Sequence, residues 1–142
     1  MLVKDVMNTS VQTIESETTV QEAAQSMREH RIGSLVVIHN AKLAGILTER
    51  DILDKVVAEA KDSSKIIVKS IMSHEVIMIS PEKDITEAAE IMVERKIKKL
   101  PVLEGNKIVG IVTVSDLCTA EPRMLEQVGA MMMMDKKKII AG

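Results

Sequence analysis

Hydrophobic and polar positions along this chain switch between two periods in a fixed order, and the order is run through twice. A β-branched run opens each pass, VQTI at 11–14 and VIMI at 76–79, and predicts a short strand. Val20, Ala23, Ala24 and Met27, echoed by Ile85, Ala88, Ala89 and Met92, follow the i, i+3, i+4, i+7 spacing of a helix with one apolar stripe. Thr19-x-x-Glu22 and Asp84-x-x-Glu87 stand at the starts of those stripes as capping-box-like signals. LVVI at 35–38 and LPVL at 100–103 then read as buried strands. The polar turns HNAK and EGNK separate them from LAGILT and IVGIVT, so each pass contains a hairpin. A second helix is expected after the threonine that closes each hairpin. The predicted unit is therefore β-α-β-β-α, present twice, which is a mixed α+β (α/β) fold. Pro101 has no N–H to give to a ladder and is expected at the edge or the first residue of its strand.

Residues 4–53 overlay 69–118 without a gap, at a constant offset of 65, and 18 of 50 positions are identical. Register held over that length marks a duplication. The identities include Lys4/Lys69, Met7/Met72, Glu17/Glu82, Gly45/Gly110, Thr48/Thr113 and Asp51/Asp116. The expected organisation is a first repeat over 1–60 and a linker over 61–68, marked by the polar break Lys61-Asp62-Ser63-Ser64-Lys65. A second repeat over 69–120 and a C-terminal extension over 121–142, helical or partly disordered, complete the chain.

Composition narrows what the duplicated unit can be. At 142 residues the chain has the length of one ordinary domain, and 46% hydrophobic with 28% charged residues is a globular mixture. A net charge of −2 supplies no basic field, which argues against a general nucleic-acid or membrane-surface binder. No apolar run approaches the roughly 20 residues that span a bilayer. The N-terminus MLVKDVMNTS lacks a signal peptide's apolar stretch, so a cytoplasmic location is expected. Cys118 is the only cysteine and excludes an internal disulfide, while His30, His39 and His74 show no ligand spacing, so no metal site is expected. Met131 to Met134 read as a packing or interface segment, because neighbours on a helix point in different directions, and Asp135-Lys136-Lys137-Lys138 reads as solvated. With no Phe, Trp or Tyr, a bound base would have to lie between aliphatic walls of Ile, Val and Met.

GILTERD at 45–51 and GIVTVSD at 110–116 share the frame Gly-Ile-x-Thr-x-x-Asp, placed where the last strand of each pass turns into its final helix. One reading is structural: the threonine hydroxyl accepts from the N–H three residues on, and the aspartate sits near the positive end of the helix dipole. The other is functional: the helix start offers N–H groups to a phosphate, the carboxylate accepts from a ribose diol, and the glycine permits close backbone approach. Repetition of the frame at the same place favours a ligand. The chain holds no Gly-x-x-x-x-Gly-Lys phosphate loop, no Gly-x-Gly-x-x-Gly and no recognisable nucleophile with a base, so catalysis is not expected.

A tandem β-α-β-β-α unit ending in this frame resembles the cystathionine β-synthase (CBS) domain pair, or Bateman module, over about residues 1–120. Lys-x-hydrophobic-Met at 4–7 and 69–72, Ile-Ser-Pro at 79–81 and Leu-Pro-Val at 100–102 belong to the same likeness. The resemblance implies a pseudo-two-fold module whose sheets face each other, with two clefts between the repeats that take adenosine-containing ligands in many members, and assembly into a disc-shaped homodimer. It implies that Asp51 and Asp116 hold the riboses and that Thr48 and Thr113 touch ribose or phosphate. It further assigns Ile97, Lys98 and Lys99 to the Asp51 cleft and Ile32, Gly33 and Ser34 to the Asp116 cleft. Arg50 and Lys98 match positions that face phosphates in some members, and Ser115 offers another donor.

Gly33 departs from a basic residue at its position, which argues against a symmetric polyphosphate site. Two clefts of unequal affinity are expected. The expected function is a regulatory sensor of AMP, ADP, ATP or an S-adenosyl compound such as S-adenosylmethionine, without a catalytic cofactor; acting on a separate target protein and storing or buffering the ligand are both open as its output. Two other functions compete: a ligand-free dimerisation module whose frames only cap helices, and nucleic-acid binding through Arg95-Lys96-Ile97-Lys98-Lys99. That basic run also suits the negative end of a helix dipole.

Overall fold

Helix α1 (Val3–Val6) is a single turn, and strand β1 (Thr13–Glu15) follows it. Helix α2 (Val20–His30) begins where the capping signal put it, with the Thr19 hydroxyl accepting from the Glu22 amide. Strands β2 (Ser34–His39) and β3 (Lys42–Thr48) form the first hairpin. Helix α3 (Glu49–Ile52) runs directly into a π-helical turn, Leu53–Val57. In the second pass α4 (Ile85–Arg95) starts behind the cap Asp84, whose carboxylate accepts from the Thr86 amide. Strands β4 (Lys99–Glu104) and β5 (Lys107–Thr113) make the second hairpin, and α5 (Val114–Ala120) ends the repeat. The computed structural model describes residues 1–129, so the methionine run and charged end noted above lie outside the described residues.

Two compact units divide the chain, one of residues 11–76 and the other of residues 1–10 together with 77 onward. Compact unit and sequence repeat are therefore offset. The lead-in of the first repeat, residues 1–10, is built into the unit that carries β4 and β5, and the lead-in of the second is built into the unit that carries β1 to β3. Val3 and Val68, equivalent by the 65-residue offset, are each fully buried in these adopted positions. Main-chain bonds join each lead-in to the last strand of its unit. Ser73 and Ile46 exchange them at 2.9 and 3.0 Å, and Asn8 and Ile111 at 2.8 and 2.9 Å.

In the 11–76 unit the sheet order is β1-β2-β3, with β1 parallel to β2 and β2 antiparallel to β3. Its core gathers Val20, Ala23 and Met27 of α2 against Leu35, Val37 and Leu47 of the sheet, with Val68, Ile71 and Met72 of the adopted lead-in. The other unit repeats the arrangement with Ala88, Ala89 and Met92 of α4 against Leu100, Val102 and Val112. Both hairpins carry a bulge at the same place, between Val37 and Ile38 and between Val102 and Leu103.

The strand expected at 76–79 is reduced to a single parallel bridge between Ile79 and Val102, and two prolines account for the loss. In the first unit the Val36 amide donates to Gln12 and the Ser16 amide to Ile38, which extends β1 on both sides of Ile14. The equivalent residues are Pro101 and Pro81, which have no N–H to donate. Only the bonds of Ile79 itself remain, its amide to Pro101 and its carbonyl from Leu103, both 3.0 Å. Pro101 is also not at the start of its strand: it is the third residue of β4, paired with Ile111, with its missing donor on the side of the shortened strand.

Candidate functional site

Each Gly-Ile-x-Thr-x-x-Asp frame folds into the same closed ring at the start of its helix. The Asp51 amide donates to Thr48 Oγ1 at 3.1 Å, and the Thr48 amide donates back to Asp51 Oδ2 at 3.0 Å. In the second repeat the corresponding distances are 3.1 Å to Thr113 Oγ1 and 2.9 Å to Asp116 Oδ2. These are reciprocal capping boxes, so the structural reading of the frame holds in both copies. The aspartate caps by accepting a bond, beyond its favourable place in the dipole.

The helix start has few donors left for an anion. The Glu49 amide already bonds the Gly33 carbonyl at 3.0 Å, and the Val114 amide bonds that of Lys98 at 2.9 Å. With the Asp51 and Asp116 amides committed to threonine, a phosphate at either terminus would find at most the amide of Arg50 or Ser115 in the first turn. The glycines of the frame also answer to packing. A Cβ on Gly45 would stand 2.5 Å from the Ser73 carbonyl oxygen and 2.8 Å from Met72 Sδ, and one on Gly110 would stand 2.6 Å from Met7 Sδ. Close backbone approach is real, but the approaching group is the lead-in segment.

The remaining candidates lie beside these rings within their own units. Ser34 pairs with Thr48 across the first hairpin, and Lys99 pairs with Thr113 across the second. Ile32 and Ile97 are half-buried. They follow Arg31 and Lys96, which close α2 and α4 in the left-handed conformation at φ 54° and 56°. Arg50 turns along the helix surface toward Asp54, at 3.7 Å. Lys98 and Ser115 are exposed. A cavity of about 570 Å³ opens in the 11–76 unit, with apolar lining from Met27, Ile32 and Ile52 and charged lining from Arg28, Arg31 and Glu49. Gly33 also lines it, and a Cβ there would approach the Glu49 carboxylate at 3.1 Å.

The two frames differ in one contact that the sequence reading missed. Lys55 Nζ lies 3.2 Å from Asp51 Oδ1, the oxygen that the cap does not use, and donates to the Ile71 carbonyl at 2.8 Å. The i, i+4 spacing of Asp51 and Lys55 was the available signal. The equivalent of Lys55 is Ala120, which carries no charge, so Asp116 Oδ1 has no such partner among the described residues. No three His, Cys, Asp or Glu side chains among the described residues gather as metal ligands. No helix among them is long and apolar enough to cross a membrane.

The profile of the CBS domain matches twice, at residues 3–58 and 68–123. The chain belongs to the CBS domain family. This CBS domain pair is 36% identical over 115 residues to the CBS domain-containing protein YhcV of Bacillus subtilis, covering 81% of each chain. Its fold matches a putative signal-transduction protein with CBS domains from Burkholderia ambifaria, with a TM-score of 0.77 and 30% identity over 84% of this chain and 93% of that one. A third likeness, with a TM-score of 0.74 and 30% identity, is to the CBS domain pair of protein MJ0100, solved in complex with 5′-methylthioadenosine and S-adenosyl-L-methionine. That match covers 84% of this chain and 94% of the other.

Proposed function

We propose that this CBS domain pair is a regulatory module that binds the adenosine part of a nucleotide or S-adenosyl compound, with AMP, ADP, ATP and S-adenosylmethionine as the candidates. The observation that carries the reading is the carboxylate oxygen that the cap does not use. Each frame spends Oδ2 of its aspartate on the cap and keeps Oδ1 outside it, as an acceptor for a ribose diol, paired with Lys55 at Asp51 and without such a pair at Asp116 among the described residues. The scarcity of helix amides makes ribose, shared by all four ligands, a better target than phosphate. Ile32 and Ile97 supply apolar surface for adenine in a chain without Phe, Trp or Tyr. The adenosine-type ligands of the structural relative support the same class. Regulation then requires only that the ligand bind two arrangements of a homodimer, or of its complex with a target protein, with different affinity.

Calorimetric titration with AMP, ATP and S-adenosylmethionine tests the reading, repeated on Asp51→Asn and Asp116→Asn. Asparagine keeps an oxygen for the cap while removing the charge that holds a diol, so loss of affinity in either variant with stability retained is the expected outcome. Absence of heat from all three ligands at millimolar concentration ends it. Because the chain has no Trp or Tyr, a carried-over nucleotide would also show as a band near 260 nm in the purified protein.

A second reading, a ligand-free dimerisation module, draws on a specific observation: the Ser73 carbonyl and Met7 explain the frame's glycines, and the capping boxes explain its threonines and aspartates. It predicts Asp→Asn variants with unchanged behaviour toward every adenosine compound.

A further inference from the structure

We infer that Lys55 is a specificity-determining residue that lowers the affinity of the Asp51 frame for a diol, and that a ligand at Asp51 displaces it. The inference rests on the adenosine-binding reading above. Asp51 has two carboxylate oxygens, and both are engaged: Oδ2 by the Thr48 amide and Oδ1 by the Lys55 ammonium at 3.2 Å. The Asp51 side chain is 16% exposed, so little of it is open to a ligand beyond the oxygen that Lys55 pairs with. Lys55 is held there from a second side, because it donates to the Ile71 carbonyl at 2.8 Å. The π-helical turn at 53–57 carries it, four residues after Asp51.

A ribose diol that takes Asp51 Oδ1 must therefore compete with a tethered cation. At Asp116 the geometry of the cap is the same to within 0.1 Å, and position 120 is alanine. The two frames are equal as caps and unequal as acceptors, and Asp116 is the stronger diol site. Displacement of Lys55 also has a structural output, since it frees the Ile71 carbonyl in the adopted lead-in.

The test uses the full chain with AMP as the probe. In an Asp116→Asn background, which leaves the Asp51 frame to be measured, Lys55→Ala should tighten AMP by roughly two- to fivefold, the range expected for a half-exposed lysine–carboxylate pair. In an Asp51→Asn background the same change should leave AMP affinity where it was. Amide exchange over residues 69–73 should rise when AMP is added to the Asp116→Asn protein, and in Lys55→Ala without AMP. Unchanged or weaker AMP binding in Lys55→Ala, Asp116→Asn overturns the inference, weaker binding meaning that Lys55 serves the ligand's phosphate. If the wild type binds neither AMP, ATP nor S-adenosylmethionine, the adenosine reading falls and takes this inference with it. Binding by the wild type with no effect of Lys55 sinks the inference alone.

Discussion

Gly45 leaves room for the carbonyl of Ser73: a Cβ at Gly45 would sit 2.5 Å from that oxygen, closer than real Cβ atoms come. The neighbour is backbone that also exchanges two main-chain bonds with Ile46, so it has little freedom to retreat. At Gly110 the nearest atom is Met7 Sδ at 2.6 Å, the end of a flexible side chain, and the backbone oxygen of Asn8 is farther, at 3.1 Å.

Gly45→Ala should cost about 1–3 kcal/mol, in the range of overpacked cores, and Gly110→Ala should cost less because Met7 can rotate away. Thermal unfolding followed by circular dichroism checks the order. Equal losses, or a larger loss at Gly110, would contradict the packing account of the two glycines.

Thr48→Ala and Thr113→Ala should each destabilise by about 0.5–2 kcal/mol through loss of a helix cap, and Thr→Ser should restore most of it. Since the two rings have matching geometry, the two losses should also match. Denaturant titrations of the four variants measure this, and a serine no better than alanine would rule out the cap as the cause.

Acid should weaken the 11–76 unit through Glu17. Lys69, at 2.6 Å, holds the Glu17 carboxyl below its ordinary value of 4.5, first by a hydrogen bond and then by charge. A carboxyl depressed in the folded state adds stability above its unfolded value, and that stability is lost as pH falls through the depressed folded value. Melting temperatures taken at about pH 6 and about pH 3 should therefore fall less for Glu17→Gln than for the wild type. A larger acid loss in Glu17→Gln would reverse the assigned sign.

Pro101→Val should lengthen the shortened strand by supplying the donor that Val36 provides in the first unit. The new amide gains a bond worth about 0.5–1.5 kcal/mol, while loss of proline's rigidity costs about 0.4–1 kcal/mol, so stability should change little. Hydrogen exchange decides it: the amide at position 101 should be protected. Exchange at the rate of an exposed loop would mean that the proline is not what limits the strand.

The local patterns of this chain were legible because they rest on interactions within about four residues. Helical stripes placed α2 and α4, the capping threonines and Asp84 set helix starts, and the polar turns set both hairpins. Of the strands expected at 11–14 and 76–79, the first forms over Thr13–Glu15 and the second shrinks to one bridge, since a parallel partner lies far away in sequence and its ladder depends on donors there. The identities Lys4/Lys69 and Glu17/Glu82 show the same division. Both pairs were visible as repeated residues, yet their bonds run from Lys69 to Glu17 and from Lys4 to Glu82, 52 and 78 residues apart.

By itself, then, the sequence determined the β-α-β-β-α unit, its duplication, the family and the two capping frames. Tertiary structure decided that the lead-ins are adopted by the opposite units, that the frame's glycines serve those lead-ins, and that Lys55 covers one aspartate only. Periodicity and capping act through neighbours along one helix or strand, whereas these features depend on which distant segment fills a given space.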